Sequence, residues 1–204
     1  MSKKAIILDL DNTIYPVSSI GDKLFKSLFE LIEKSGAYTG DLEKLKAEIM
    51  RRPFQYVVRE FEFSESLFSE SMKLLENLTY NGPMSVFDDY KFVRELKVDK
   101  YLVTAGFTKM QESKVKQLGI ADDFKAVHII DPSKTSLVKK DFFFKIMNDN
   151  DLKPSELIVA GDDVNSEIKA AIELGIDAIL YDRERTYKSN GEFQIISSFN
   201  DLKI

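Results

Sequence analysis

The run Ala5-Ile6-Ile7-Leu8-Asp9-Leu10-Asp11-Asn12-Thr13 is a stretch of branched apolar side chains that ends in two carboxylates separated by one leucine. A segment that is apolar at every position, instead of every second one, fits a strand covered on both faces, as in the interior of a parallel sheet. Side chains alternate along a strand, so Asp9 and Asp11 are expected on one side and Leu10 on the other. Two like charges placed together repel, and a divalent cation between them converts that cost into a binding site. The plain alternative is a strand that ends at an acidic turn, and this stretch by itself does not separate the two.

After Thr13 the pattern changes. Tyr15-Pro16-Val17-Ser18-Ser19 reads as a turn, and apolar residues then recur at helical spacing in four groups. These are Phe25, Leu28, Phe29 and Ile32; then Leu42, Leu45 and Ile49; then Phe54, Val57, Val58 and Phe61 behind Pro53; then Phe68, Met72 and Leu75. Asn81-Gly82-Pro83 breaks the last of them. Nothing between Tyr15 and Tyr80 reads as a strand, so this is a helical block inserted after one strand of a different architecture.

From Asp88 onward strands and helices alternate. Strands are expected at residues 100–104, 126–130, 157–160 and 177–181, and helices through 92–96, 108–118, 141–147 and 165–174, with Gly119 and Gly175 as stops. A surface loop at Lys188-Ser189-Asn190-Gly191 precedes a short last strand and a helical turn. Repeated units of this length specify an α/β fold built on a doubly wound parallel sheet. The expected organisation is an α/β core of residues 1–14 and 84–204, with the helical block at 15–83.

Composition removes several function classes. With no cysteine, disulfides, thiolate catalysis and Cys-ligated metals are excluded, and a single histidine, His128, excludes multi-His metal sites. His128 lies in an apolar run and reads as a structural strand residue. A net charge of −5 argues against a nucleic-acid polymer as partner, since phosphate-backbone affinity needs clustered excess Lys and Arg. No apolar segment is long enough to span a membrane, and Met1-Ser2-Lys3-Lys4 leads directly into the first strand, so the expectation is a cytoplasmic protein, a monomer or weak dimer.

In open α/β sheets ligands bind beyond the carboxyl ends of the strands. Four features fall there: Asp9-Leu10-Asp11, Thr104-Ala105-Gly106, the pair Lys139 and Lys140, and Gly161-Asp162-Asp163. They offer, in turn, a nucleophile and an acid, a hydroxyl with backbone amides, a positive charge, and metal-ligand oxygens. Together they compose a phosphoryl-transfer site.

These residues resemble the haloacid dehalogenase superfamily of phosphatases, in the branch whose helical cap is inserted after the first strand. Asp9-Leu10-Asp11-Asn12-Thr13 matches the family's Asp-x-Asp-x-Thr. Thr104-Ala105-Gly106-Phe107, followed by Gln111, Lys114, Leu118, Gly119, Ile120 and Phe124, is similar to the nucleotidase-like members, which carry Thr-Asn-Gly-Phe and a downstream Gln. The resemblance implies that Asp9 attacks phosphorus and carries an aspartyl-phosphate. Asp11 would protonate the leaving alcohol and then activate water. Thr104, Asn12, Thr13 and the backbone at Ala105 and Gly106 would surround the phosphoryl group, and a lysine would offset its charge. Mg²⁺ would bind Asp9, the backbone carbonyl of Asp11, Asp162 and Glu167, an all-oxygen set of the kind magnesium prefers. Asp11 favours phosphate chemistry over carbon–halogen cleavage, because a halide leaves without a proton. The implied substrate is a small phosphorylated metabolite, with a nucleoside 5′-monophosphate favoured; the alternatives are a sugar-phosphate phosphatase or phosphate mutase, and a non-catalytic phospholigand-binding module on the same fold.

Three positions depart from the family pattern. Ala105 replaces the usual Asn and keeps only its backbone N–H. The lysine region, Val138-Lys139-Lys140-Asp141, lacks the frequent Lys-Pro; Lys139 is preferred because Phe143 then falls where the family has an aromatic, with Lys140 as fallback and Lys134 a poorer candidate. Glu167 stands at the second acidic position, longer than aspartate, so it would reach a metal through water; Asp163 is the alternative to it in the metal shell, but is expected instead to cap the next helix. Arg51 and Arg52 read as solvated charges, and Tyr15 as a residue that could line the substrate pocket.

Overall fold

The chain opens with β1 (Ala5–Leu8), all four residues of which are buried, and five α-helices follow before it returns to the sheet through a sixth. These are α1 (Gly21–Leu24), α2 (Lys26–Ser35), α3 (Leu42–Arg51), α4 (Phe54–Glu60) and α5 (Glu65–Leu75). A computed structural model describes residues 2–188 and 191–204; Ser189 and Asn190 of the expected surface loop lie outside the described residues. Side-chain caps define two of the helix starts: Asp41 accepts from Lys44 N at 2.8 Å before α3, and Ser64 from Leu67 N at 3.2 Å before α5. The chain returns through α6 (Tyr90–Glu95), and Asp89 just before it is buried, accepting from Tyr181 Oη, Arg183 Nη1 and Phe199 N.

Strands and helices then alternate as the sequence predicts: β2 (Asp99–Ala105), α7 (Thr108–Leu118), β3 (Ala126–Ile130), α8 (Lys139–Asp149), β4 (Leu157–Gly161), α9 (Lys169–Glu173), β5 (Asp177–Tyr181) and β6 (Gln194–Ile196). The six strands form one sheet in the order β3-β2-β1-β4-β5-β6, and every neighbouring pair is parallel. The winding reverses between β1 and β4, which makes the carboxyl ends of these two strands the crevice where ligands bind in such sheets. Leu8 is in register with Leu102 on β2 and with Ala160 on β4.

Two apolar layers cover the sheet, and alternation along each strand divides side chains between them. Ile6, Leu8, Leu102, Ile158 and Ile179 join one layer with Leu28, Ile32, Leu45 and Val57 of the helical block and Met110 and Val115 of α7. Ile7, Val103, Val159 and Leu180 join the other with Phe143 and Ile146 of α8 and Ala170 and Ala171 of α9. No helix among the described residues is long and apolar enough to cross a membrane.

Two element boundaries differ from expectation. Helix α8 begins at Lys139, two residues ahead of the expected start, with Asp141 accepting from Val138 N at 2.8 Å across its first turn. The helix expected over 165–174 divides into a π-helical turn, Val164–Ile168, followed by the short α9. The wide turn carries the Glu167 carboxylate back to the N–H of Asp163 at 2.7 Å. Single π turns of this kind are frequent at functional sites.

Candidate active site

The ladder of β1 ends at Leu8, and the next residues turn sharply. Asn12 has φ of 55°, a left-handed conformation that Asn tolerates, and its Oδ1 accepts from Val17 N at 3.1 Å. Ile14 N donates to Leu10 O at 2.9 Å, which closes the turn. The expected alternation carries through Asp9, on the side of Ile7 and α8, and Leu10, packed with Ile6 and Leu8, and is lost at Asp11, whose carboxylate takes its partners from α7.

Asp9 belongs to the α8 side. Its N–H donates to Ala160 O at 3.1 Å, fixing it to the end of β4, and its Oδ1 accepts from Lys139 Nζ at 2.6 Å. The same ammonium donates to Glu167 Oε2 at 2.6 Å. One carboxylate oxygen from each of Asp9, Asp162 and Glu167 lies within 4.8 Å of the others. Thr13, fully buried, approaches Asp162 Oδ1 with its hydroxyl at 3.4 Å. Burial, and then repulsion from its acidic neighbours, raises the Asp9 carboxyl despite Lys139; burial and the charge on Asp9 raise Asp162 as well. Burial alone would lower Lys139, but Asp9 and Glu167 together push it above the ordinary lysine value. One cation among three carboxylates, two of them buried and Asp162 half-buried, leaves a negative surplus. Hard oxygens at this spacing with uncompensated charge fit a divalent cation such as Mg²⁺.

Asp11 belongs to the α7 side. Lys114 Nζ donates to its Oδ1 at 2.8 Å, Gln111 Nε2 to its Oδ2 at 2.9 Å, and the Tyr15 hydroxyl also donates to Oδ1. Burial would raise the Asp11 carboxyl, but Lys114 first, with Tyr15 and Gln111 after it, holds it below the ordinary value. Its side chain stands outside the three-carboxylate group. Thr104 is buried on β2, and its Oγ1 accepts from Gln111 Nε2 at 2.6 Å, so its own hydrogen remains available to donate.

Other expected residues are placed elsewhere. Lys140 is half-buried at the next helical position and pairs with Glu173, not Asp9, at 2.8 Å. Lys134 pairs with Asp131 and Thr108. The Gly106 N–H donates to Ile130 O at 3.0 Å and is not free for a phosphoryl oxygen, while Ala105 is exposed at the end of β2. Asn12 shapes the turn through Val17. Asp163 caps the π turn by accepting from Asn165 N at 2.8 Å. Arg51 and Arg52 pair with Glu48 and Glu60 inside the helical block. Tyr15 is fully buried, so its ring is core, and only its hydroxyl reaches the site. His128 packs its ring 5.7 Å from Phe142.

A β-carbon on Gly161 would lie 2.2 Å from Glu167 Oε1, so only glycine lets this carboxylate fold over the end of β4. In the sequence, Lys114 and Gln111 match the family motif without an implied role. Their spacing of three on α7, polar on a face otherwise used for packing, is the signal that marks them.

A family model described as haloacid dehalogenase-like hydrolase matches residues 3–175. Among curated proteins, a glyceraldehyde 3-phosphate phosphatase of Pyrococcus furiosus is 25% identical over 192 residues, covering 87% of this chain and 80% of its own. A protein of the same name from Methanopyrus kandleri is 22% identical over 218 residues, covering 97% and 89%. Among solved structures, the haloacid dehalogenase-like protein SP0104 of Streptococcus pneumoniae superposes with a TM-score of 0.68 at 20% identity, covering 87% of this chain and 84% of its own. The HAD-hydrolase YfnB of Bacillus subtilis, bound to magnesium, gives 0.66 at 16%, covering 98% and 96%. These two structures share the fold, and the match of the family model over most of the chain goes further: the protein belongs to the haloacid dehalogenase-like hydrolases.

Proposed function

We propose that this hydrolase is a magnesium-dependent phosphomonoesterase that works through an aspartyl-phosphate on Asp9. The observation that carries the reading is the convergence of Asp9, Lys139, Asp162 and Glu167 at the β1/β4 crevice. An Asp9 oxygen attacks phosphorus, the bond from phosphorus to the ester oxygen breaks, and the departing oxygen takes a proton from Asp11, which rests ionised among its donors and takes up that proton from solvent when the anionic ester docks beside it. Water then attacks the phosphorus of the acyl phosphate, Asp11 takes its proton, and inorganic phosphate leaves with Asp9 restored. The Lys139 ammonium balances charge on Asp9 and the phosphoryl oxygens, and the Thr104 hydroxyl donates to one of them. Mg²⁺, held by Asp9, Asp162, the Asp11 carbonyl and Glu167 directly or through water, would supply the positive charge that lets an anionic ester approach an anionic nucleophile.

The substrate is a small phosphorylated metabolite. The names of the two archaeal relatives favour a triose phosphate; the Thr104-to-Phe107 run with Gln111 supports a nucleoside 5′-monophosphate. The helical block at residues 15–83 serves as the cap that closes over the strand ends and sorts the leaving groups. A panel of triose, sugar and nucleoside phosphates, tested with and without Mg²⁺, decides among them. Phosphate release from one class is expected only with the metal, and none from Asp9→Asn. Turnover that survives in Asp9→Asn overturns the nucleophile.

A further inference from the structure

Two polar side chains of α7 are buried without a place in the reaction described above. Gln111 is fully buried and Lys114 is 2% exposed. Three residues apart, they share one helix face, and both reach the carboxylate of Asp11, one on each oxygen. Tyr15 adds a third donor from the segment leaving β1. With both oxygens held by donors from separate elements, the plane of the carboxylate is fixed.

Gln111 gives up something to do this. A carboxylate only accepts, so the amide must turn its NH₂ toward Asp11, where Nε2 also reaches Thr104 Oγ1 at 2.6 Å and, more weakly, Ala105 O at 3.4 Å. Its Oε1 is then buried with no partner among the described residues. A buried acceptor without a partner and a buried ammonium are both unfavourable for folding, and such local exceptions cluster where function requires them. The backbone also makes room: Gly106 has φ of 153°, and a β-carbon there would stand 3.1 Å from Cγ and Cδ of Gln111.

We propose that Gln111 and Lys114 are positioning residues that hold the Asp11 carboxylate in the orientation from which it gives a proton to the leaving oxygen and later takes one from water. The proposal rests on Asp11 being the acid and base of the reaction proposed above.

The test is rapid-quench trapping of phosphoenzyme in Lys114→Met and Gln111→Met, with Asp11→Asn as reference, on two esters. p-Nitrophenyl phosphate has a leaving group that departs without a proton, whereas an alkyl phosphate needs one. With the aryl ester the variants should form phosphoenzyme at close to the wild-type rate and accumulate it, because only hydrolysis then depends on Asp11. With the alkyl ester, phosphoenzyme formation itself should slow by about 10- to 100-fold, part of the ~10²–10⁴ available to acid–base catalysis, and KM should move less than kcat. Equal losses on both esters, or variants that match the wild type on both, overturn the proposal. Should Lys114→Met not fold, Gln111→Met carries the same comparison with the cation beside Asp11 intact. If Asp11→Asn itself behaves as wild type, the assignment of Asp11 fails, and not merely the role of its partners.

Discussion

Lys139 and Lys140 are chemically identical and adjacent, yet one amine is enclosed between Asp9 and Glu167 and the other faces solvent beside Glu173. Successive helical positions point in directions about 100° apart, so helix phase decides between them. In the sequence, the family aromatic at Phe143 favours Lys139 over Lys140, and Phe143 is buried one turn further along α8. Lys139→Ala would leave Asp9 and Glu167 facing each other in a buried site, an arrangement expected to cost about 3–5 kcal/mol and to remove activity. Lys140→Ala breaks an exposed pair worth at most ~1 kcal/mol and should retain turnover. Thermal melts and steady-state rates on the two variants check both statements. Gly161→Ala forces Glu167 off the strand end, and apparent Mg²⁺ affinity should fall by ~10–100-fold, as for other groups that orient a metal shell, measurable by calorimetric titration. The strand-end acids were legible in the sequence because backbone position alone places them. The partners of Asp11 were not, since whether Gln111, Lys114 and Tyr15 meet it depends on how α7 and the turn after β1 pack.

At the scale of elements, alternation of strand and helix was legible because each apolar run between breakers has the length of one or the other. The strand order was not, because pairing β1 with both β2 and β4 is decided by contacts more than 90 residues apart in the chain. The π turn was also hidden, since nothing in Val164-Asn165-Ser166-Glu167-Ile168 distinguishes it from a first α-helical turn. The start of α7 shows an element anchored by another. No side chain of its own caps the helix; instead Asp131, after β3, accepts from Thr108 N at 2.8 Å and Thr108 Oγ1 at 2.6 Å, and from Ser133 on its other oxygen. Burial would raise the Asp131 carboxyl, but these donors from Thr108 and Ser133 hold it well below the ordinary value. Its contribution is therefore present at neutral pH and is lost as acid protonates it. Asp131→Ala should lower stability by about 1–2 kcal/mol, and the difference from wild type should shrink toward strongly acidic pH in denaturant melts.

For the molecule as a whole, the acidic group at the β1/β4 crevice links stability, metal and pH. Asp9 and Asp162 are raised in the fold, to about 7 and about 8, from ordinary aspartate values. Between ~4, where an unfolded aspartate titrates, and these raised values, the folded chain binds more protons than the unfolded one. Metal-free stability should therefore fall as pH rises through that window. Mg²⁺ binds the deprotonated group and should reverse the trend, so the rise in melting temperature on adding magnesium should grow from mildly acidic to mildly alkaline pH. A shift that is independent of pH would detach the metal from these carboxylates.

The central claim is a covalent phosphoryl group on one defined oxygen. Enzyme quenched during turnover and reduced with borohydride, then digested and sequenced by mass spectrometry, reads it directly, because reduction converts an aspartyl-phosphate to homoserine. Homoserine is expected at position 9, with aspartate unchanged at positions 11 and 162. Homoserine at either of those positions, or unmodified Asp9 in enzyme quenched under conditions that populate the intermediate, would contradict it.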